Sequence, residues 1–420
     1  MARRHYSYKN GPAEIQSHSI AKHRILQSYL AAYYQTLVGG RTREEFKLTV
    51  IDGFAGCGRY VLKDGKKFTD GSPLILLRAA KEAEYKINKG RQKPVNIDIT
   101  HFFIEADKHG YDLLKQVLTE EGYGNEIGKS IQLSHSKFEN EMSSILNFVR
   151  CKTPRSGRSI FVLDQYGYNQ VPLPQLQQIL ALPKAEVILT FGVDSLLNFA
   201  NDASFKDQLD KINMPDIFAG RSLDEIKACE RDWRLFVQAC LYQHLVAGSG
   251  AKYFTPFFIR NNDGHGDYWL LHLSQHPRAR DVMTEVHWQN SNYFVHYGGA
   301  GLDMFQMNGY DPTYDENLSG QSPLDFVFDD VARKASINIM TEQLARILHK
   351  QEYGVSFDEL YMSTCNSTPA SQAIYKETLG ELLAYKQIQV MTADGGFRHS
   401  SNRIVATDRI VLPRQMNFLL

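Results

Sequence analysis

Apolar residues along this chain first recur with a helical period. Between residues 13 and 37, Ile20, Ile25, Leu26, Tyr29, Leu30, Tyr33 and Leu37 return every three or four positions, which predicts a helix with one buried face. The pattern then changes. Residues 46–51 (FKLTVI) are a short apolar run rich in β-branched side chains, and DGFAGCG closes it, so a buried strand is expected to open into a glycine loop. Four more short runs follow at 97–104, 130–133, 159–163 and 186–191. The first of these ends at Glu105 and the third at Asp164. Helical spacing separates them over 107–120 and 139–150. Strands alternating with helices predict a parallel sheet covered on both faces.

Helical spacing returns over 220–245, with Trp233, Phe236, Cys240 and Leu241. Two further strands, 253–259 and 268–273, are joined by a glycine-containing stretch at 261–266, the signature of a hairpin. Five alternating strands ending in an antiparallel hairpin are the ground plan of the seven-stranded, Rossmann-like α/β sheet of methyltransferases, a variant of the doubly wound fold. Residues 297–324 are irregular, with GGAG, NGYDPTYDEN and SGQSP. The last block resumes a helical pattern at Leu344, Ile347 and Leu348, continues with a short helix capped by Ser356, and then with a longer one after Thr368-Pro369. Strands at 388–391 and 403–405 about a turn at 393–396 complete a winged helix-turn-helix. The expected organisation is a helical N-terminal cap at 1–45 and a methyltransferase-like domain at 46–296 with a helical insertion at about 194–250. A linker at 297–336 and a winged helix at 337–420 follow.

Composition narrows the field. Lysine plus arginine and aspartate plus glutamate both number 47, so the chain is not a generic polyelectrolyte that binds nucleic acid through bulk charge. The charge is unevenly spread, however. Residues 1–48 hold Arg3, Arg4, Lys9, Lys22, Arg24, Arg41, Arg43 and Lys47 against Glu14, Glu44 and Glu45, a net +5. Such a layer suits a phosphate backbone and equally suits a solvated helix with a basic tail. The five cysteines are scattered with no C-x-x-C pair, so neither a disulfide framework nor a metal site is expected, and reduced thiols fit a cytoplasmic protein. No apolar run is long enough for a membrane span, and no apolar stretch follows the basic N-terminus as a secretory signal would require.

The candidate chemistry lies where the predicted strands end. Gly53, Phe54, Gly56 and Gly58 follow strand one, where glycines let backbone turn sharply and approach a ligand, and Asp52 offers a carboxylate to a ligand amine. Glu105 and Ala106 end strand two, and an acidic residue there is placed for ribose hydroxyls. Ser134 and His135 follow strand three and would flank an adenine ring. Asp164, Tyr166 and Tyr168 follow strand four, a carboxylate to accept from an amino group and rings to stack on a base. Each has a plain structural alternative: a common loop, a solvated glutamate, a surface histidine, packing tyrosines. The register favours a site, because the features fall on strands one to four in order. The implied ligand is a cofactor with an adenosyl group, and the family resemblance below makes it S-adenosylmethionine.

The strings IDGFAGCGRY, DGSPLILL, FFIEAD and VLDQYGY resemble the three-Cys-motif partner family, TcmP, across most of the chain. That resemblance implies a methyltransferase-like Rossmann domain, a C-terminal winged helix and a partner protein carrying the three cysteines. Lys22-His23 on a helix before strand one, with a glycine loop ending in GRY, is also similar to the ribosomal RNA adenine-N6 methyltransferases. By position, that resemblance assigns Lys22 to the cofactor carboxylate, with His23 beside it. It assigns Asp52 and Gly53 to the methionine part, Glu105 to the ribose and Asp164 to the target amine. A solvated helix face explains Lys22-His23 as well.

Two departures stand out. Gln165 replaces the proline usual after the aspartate, and residues 59–71 intervene before the helix that Ser72-Pro73 would start. S-adenosylmethionine carries no phosphate and tolerates the second departure better than a dinucleotide would. The expectation is a methyltransferase acting on a nucleic-acid base amine, RNA or DNA, with adenine N6 preferred. The rival is a non-catalytic adaptor that binds cofactor or nucleic acid in a partner complex, in a phage-defence setting. The predicted recognition helix carries only Lys376 against Glu377 and Glu381, which favours protein contact, including a homodimer, over sequence-specific DNA reading.

Overall fold

The computed structural model describes residues 6–38, 44–63, 65–197, 202–214, 216–230, 233–259, 268–290, 295–296, 301–302, 326–327, 329–351 and 353–413. The chain divides into two compact units, Met1–Val286 and His287–Leu420.

The first unit opens with α1 (Ser17–Val38), then β1 (Glu45–Asp52) and a small hairpin of β2 (Arg59–Val61) and β3 (Phe68–Asp70). Next come α2 (Ser72–Asn88), β4 (Asn96–Glu105), α3 (Lys108–Glu120), β5 (Ile131–His135) and α4 (Phe138–Lys152). The series continues with β6 (Ser159–Leu163), α5 (Leu173–Leu180) and β7 (Ala185–Phe191). Four helices follow: α6 (Val193–Leu197), α7 (Asp202–Lys211), α8 (Leu223–Cys229) and α9 (Trp233–Ser249). Then come β8 (Tyr253–Ile259), β9 (Tyr268–Ser274) and α10 (Pro277–Gln289). Seven strands form one sheet in the order β5-β4-β1-β6-β7-β9-β8. The first five run parallel, and β9 is antiparallel to both neighbours. This is the seven-stranded methyltransferase arrangement that the hydrophobic pattern predicts.

The central strands are buried on both faces. Every residue of β6 and β7 is buried, as expected of parallel strands covered by helices. One continuous core joins Ile51, Phe161 and Leu189 of the sheet to Ile145 of α4, Leu176 of α5 and Leu241 of α9. Helix α1 is fixed to the sheet through Tyr29, whose buried hydroxyl donates to Glu186 of β7, with His272 of β9 3.2 Å from the same carboxylate oxygen.

Several boundaries differ from the sequence reading for local reasons. Residues 13–16 are not helical. Ala13 accepts from the Val61 N–H and Ile15 donates to the Val61 carbonyl, both at 2.9 Å, so this stretch lies along the hairpin. The helical pattern at 220–245 is two helices, and Ser222 starts the first with a capping box closed by Glu225. Ser134 and His135 lie at the end of β5 rather than beyond it. The hairpin loop at 261–266 and most of the expected linker at 297–336, with its acidic stretch, lie outside the described residues.

In the second unit β10 (Val295–His296) pairs with β11 (Phe326–Val327). Then follow α11 (Asp330–His349), β12 (Val355–Ser356), α12 (Phe357–Thr364), α13 (Gln372–Ala384), β13 (Gln389–Met391), β14 (Phe397–Arg398) and β15 (Arg409–Val411). The last four strands make a sheet in the order β12-β15-β13-β14, which gives the winged helix its wing. The second wing strand is Phe397–Arg398, not 403–405. Arg398 is drawn to the buried Asp408 at 2.9 Å, and Ser401–Arg403 turn as a short 3₁₀ helix. Ile374, Tyr375, Leu379 and Leu382 of α13 form the buried face.

Candidate functional site

Three adjacent strands end in carboxylates. In the parallel ladders Asp52 of β1 pairs with Phe103 of β4 and with Val162 of β6. Glu105 and Asp164 therefore stand two residues beyond it on either side, at the carboxyl edge where open α/β sheets bind ligands. Beside this edge lies a cavity of about 670 Å³. That volume is in the range of small-molecule sites. Its wall includes Lys22, Gly53, Phe54, Gly56, Glu105, Ala106, Asp164 and Tyr166 among the residues anticipated from sequence.

The glycine loop forms the floor because side chains would not fit. Gly56 has φ +63°, and a Cβ there would stand 2.3 Å from the Tyr60 hydroxyl oxygen. A Cβ on Gly53 would meet Leu163 at 2.8 Å. Glu105 is held by the loop and by its own strand end. Its Oε2 accepts from the Gly56 N–H and its Oε1 from the Asp107 N–H, both at 2.7 Å. Burial raises its pKa despite these donors. Each carboxylate oxygen retains a lone pair for a further donor.

Asp52 lies beneath the floor, wholly buried, with its Oδ1 3.2 Å from the Phe54 N–H. Burial pushes its carboxyl up to about 7, against the pull of Ser72 and the Phe54 N–H, and Asp164 and Glu105 raise it further. It shapes the loop rather than lining the cavity.

Asp164 meets Lys22. The ammonium of Lys22, 9% exposed on α1, donates to both carboxylate oxygens, at 2.6 Å to Oδ2. Burial alone would raise Asp164, but the charge and hydrogen bonds of Lys22, with a hydrogen bond from Thr190, hold it below the usual carboxylate range. His23 turns away from the cavity to a backbone partner at Asp70 and the Tyr60 ring, and burial holds its imidazole down near 4, neutral at physiological pH.

The remaining anticipated residues lie outside the cavity wall. Gly58 has φ +77°, and its carbonyl accepts from the Gly71 N–H at 2.8 Å. Ser134 donates to Glu141 of α4 at 2.9 Å. His135 places Nε2 3.2 Å from the Ala106 carbonyl and its ring beside Tyr111. Tyr168 faces the core, packed on Phe191 and bonded to Gln208 of α7. Tyr166 is the aromatic of that loop in the cavity wall.

The sequence reading missed Tyr6, Tyr8, Phe138 and Glu139, which also line the cavity; Tyr60 and Ser136, the last residues of the first and third strand-end motifs, line it too. Tyr8 is brought there by a glycine: a Cβ on Gly110 would stand 2.9 Å from its ring. No motif marks Tyr6 and Tyr8, because an N-terminal segment brings them to the site from a distance in sequence. The lining as a whole is acidic, with Glu105, Asp107, Glu139 and Asp164 against Lys22 and Lys137.

Only part of the anticipated basic layer falls among the described residues. Lys22 is consumed by Asp164, Lys47 pairs with Glu45 at 3.2 Å, and Arg3, Arg4, Arg41 and Arg43 lie outside the described residues. In the second unit Arg398 is taken by Asp408, and Lys376 lies over the Phe357 ring at 5.6 Å. No helix among the described residues is long and apolar enough to cross a membrane.

Residues 309–395 match the family model of the GMT-like wHTH domain. No curated protein matches the chain. Among solved structures, a Legionella pneumophila protein of family DUF519 is 12% identical, covering 66% of this chain and 93% of its own, with a TM-score of 0.37. Trm1 from Pyrococcus horikoshii, solved with S-adenosyl-L-methionine, is 12% identical, covering 97% of this chain and 94% of its own, with a TM-score of 0.33. The METTL16 methyltransferase domain is 10% identical over 60% of this chain and 83% of its own, with a TM-score of 0.28. At these identities no residue role passes from them to this chain.

Proposed function

We propose that the chain is an S-adenosylmethionine-dependent methyltransferase acting on the exocyclic amine of a nucleic-acid base, with adenine N6 preferred. The observation that carries this reading is an acid-lined cavity at the carboxyl edge of a seven-stranded methyltransferase sheet, with Glu105 and Asp164 on opposite sides of the glycine loop. An acidic lining disfavours the pyrophosphate of a dinucleotide and favours a cationic ligand. S-adenosylmethionine fits on that ground, and when bound it supplies a methyl group already activated on a sulfonium.

The protein's own contribution is placement. Glu105, its carboxylate oriented by two backbone N–H groups, suits a pair of ribose hydroxyls. The glycine loop permits close backbone approach. Asp164 is kept ionised and can accept a hydrogen bond from the target amine, orient its lone pair, and take the proton that the nitrogen loses once it carries the methyl group. Tyr166 offers a face for a base. An amine that binds Asp164 would share its oxygens with the Lys22 ammonium.

That ion pair favours the rival reading, a non-catalytic adaptor, because both Asp164 oxygens are engaged. The three-cysteine partner implied by the resemblance to TcmP belongs to either reading. In the second unit Tyr353, Tyr385, Phe397 and Val405 are exposed while Arg398 and Lys376 are engaged internally, which supports a protein contact there, a second copy included.

Calorimetry with S-adenosylmethionine tests the cavity. Wild type should bind and Glu105→Ala should bind at least tenfold more weakly; no binding by wild type refutes both cofactor-based readings. Methyl transfer from labelled cofactor to total tRNA, rRNA and DNA then separates enzyme from adaptor. Asp164→Ala should abolish transfer with cofactor affinity kept, and undiminished transfer refutes its role.

A further inference from the structure

The residue after Asp164 holds two backbone groups with one end of its side chain and nothing, among the described residues, with the other. Gln165 is 2% exposed and belongs to the cavity wall. Its Oε1 accepts from the Gln170 N–H at 2.9 Å and from the Val171 N–H at 3.1 Å. Both groups on that side are donors, so the oxygen must face them, and the amide cannot be turned over. The loop after β6 is thereby closed by a side chain where a proline would have stiffened the backbone. The amide nitrogen, with two hydrogens to give, has no hydrogen-bond partner among the described residues.

A clamp alone does not call for that nitrogen. The clamp uses only the oxygen, and a buried amide nitrogen left without a partner is a costly state. The spare donor stands one residue from the carboxylate that accepts.

We propose that the Gln165 amide nitrogen determines specificity by donating to an unprotonated ring nitrogen beside the amine that Asp164 holds. The inference rests on the reading of the cavity as a base-amine methyltransferase site. An acceptor and a donor on consecutive residues complement a donor and an acceptor side by side on one heterocycle. The matching edge is N6 with N1 of adenine or N4 with N3 of cytosine. Guanine is rejected on its pairing edge, because its N1–H would meet the amide donor to donor. The edge so read is the one used in base pairing, so the substrate is an unpaired or flipped base.

The test uses the full chain, labelled S-adenosylmethionine and single-stranded oligonucleotides that differ at one position: adenine, 1-deazaadenine, cytosine or guanine as the sole amine-bearing base. Wild type should lose at least tenfold in kcat/KM from adenine to 1-deazaadenine, which keeps the amine and lacks the ring nitrogen. Gln165→Glu keeps an acceptor for Gln170 and Val171 and removes the donor. It should lose a similar factor on adenine and show no further loss on 1-deazaadenine. Gln165→Met, which gives up both clamp and donor, should be equally blind to the ring nitrogen. A merely structural Gln165 would lower both substrates alike and preserve their ratio. Equal use of adenine and 1-deazaadenine by wild type, retention of the preference in Gln165→Glu, or transfer to guanine alone overturns the proposal. Transfer to none of the four, with cofactor bound, refutes instead the base-amine reading beneath it.

Discussion

Asp52 should make the stability of the first unit depend on pH in a way that asparagine would erase. The carboxyl is fully buried and its pKa is pushed from 3.8 to about 7, first by burial and then by the charges of Asp164 and Glu105. At 1.36 kcal/mol per pH unit, that difference amounts to ~4 kcal/mol. The folded protein holds the proton longer than the unfolded chain does. Below the unfolded value both states are protonated and the contribution is complete. As pH rises towards the folded value, only the unfolded chain releases its proton and stability falls. Above about 7 both are ionised and the loss is complete. Urea denaturation of wild type and Asp52→Asn at pH 5, 6, 7 and 8 isolates this group and its coupling to Asp164 and Glu105, since titrations elsewhere cancel in the difference. Between pH 5 and 8 wild type should lose roughly 3 kcal/mol relative to the variant. Parallel curves would refute the burial argument, and a relative gain by wild type with rising pH would mean that Asp52 is stabilised as an anion.

Other substitutions probe the neighbouring groups. Lys22→Met leaves Asp164 with burial and without its main counter-charge, so its pKa should rise and the acid limb of a kcat/KM profile should move up by on the order of one pH unit. An unmoved limb would mean that Asp164 is not the titrating base. In stability the same pair acts with the opposite sign to Asp52: its contribution is present above the unfolded carboxylate value and is lost as pH falls through the depressed folded one. Gly56→Ala places a methyl where φ is +63° and the Tyr60 hydroxyl is already too close, so cofactor affinity should fall at least tenfold by calorimetry. Arg398→Ala leaves Asp408 buried without its guanidinium, and hydrogen exchange should show the wing strands opening more readily at pH 7 than in wild type, with the difference shrinking in acid.

The sheet was legible because its strands are buried on both faces and therefore read as continuous apolar runs, from the FKLTVI of β1 to the SIFVL of β6. Chain order alone then suggests the strand sequence, because parallel crossovers leave few alternatives. The strand-end residues Glu105 and Asp164 follow from the same logic. What could not be read was direction beyond a strand end. Tyr166 and Tyr168 are two residues apart in one loop, yet the first lines the cavity and the second packs on Phe191. Lys22 and Asp164 are 142 positions apart, and no local pattern announces that they pair. Gln165 looked like the loss of a proline. Only the geometry of its two backbone donors reveals that it closes the loop by another means.

The small hairpin after the glycine loop has a consequence for how such chains are recognised. Its two ends are joined where the Gly71 N–H meets the Gly58 carbonyl at 2.8 Å, so α2 starts beside the loop as though nothing intervened. The insertion behaves as a side branch. Its length is set by the turn at its tip, which a loop can lengthen at little entropic cost, and neither the glycine loop nor the helix need shift. A motif that counts residues from glycines to helix will pass over this chain, whereas one that asks which two glycines touch will find it.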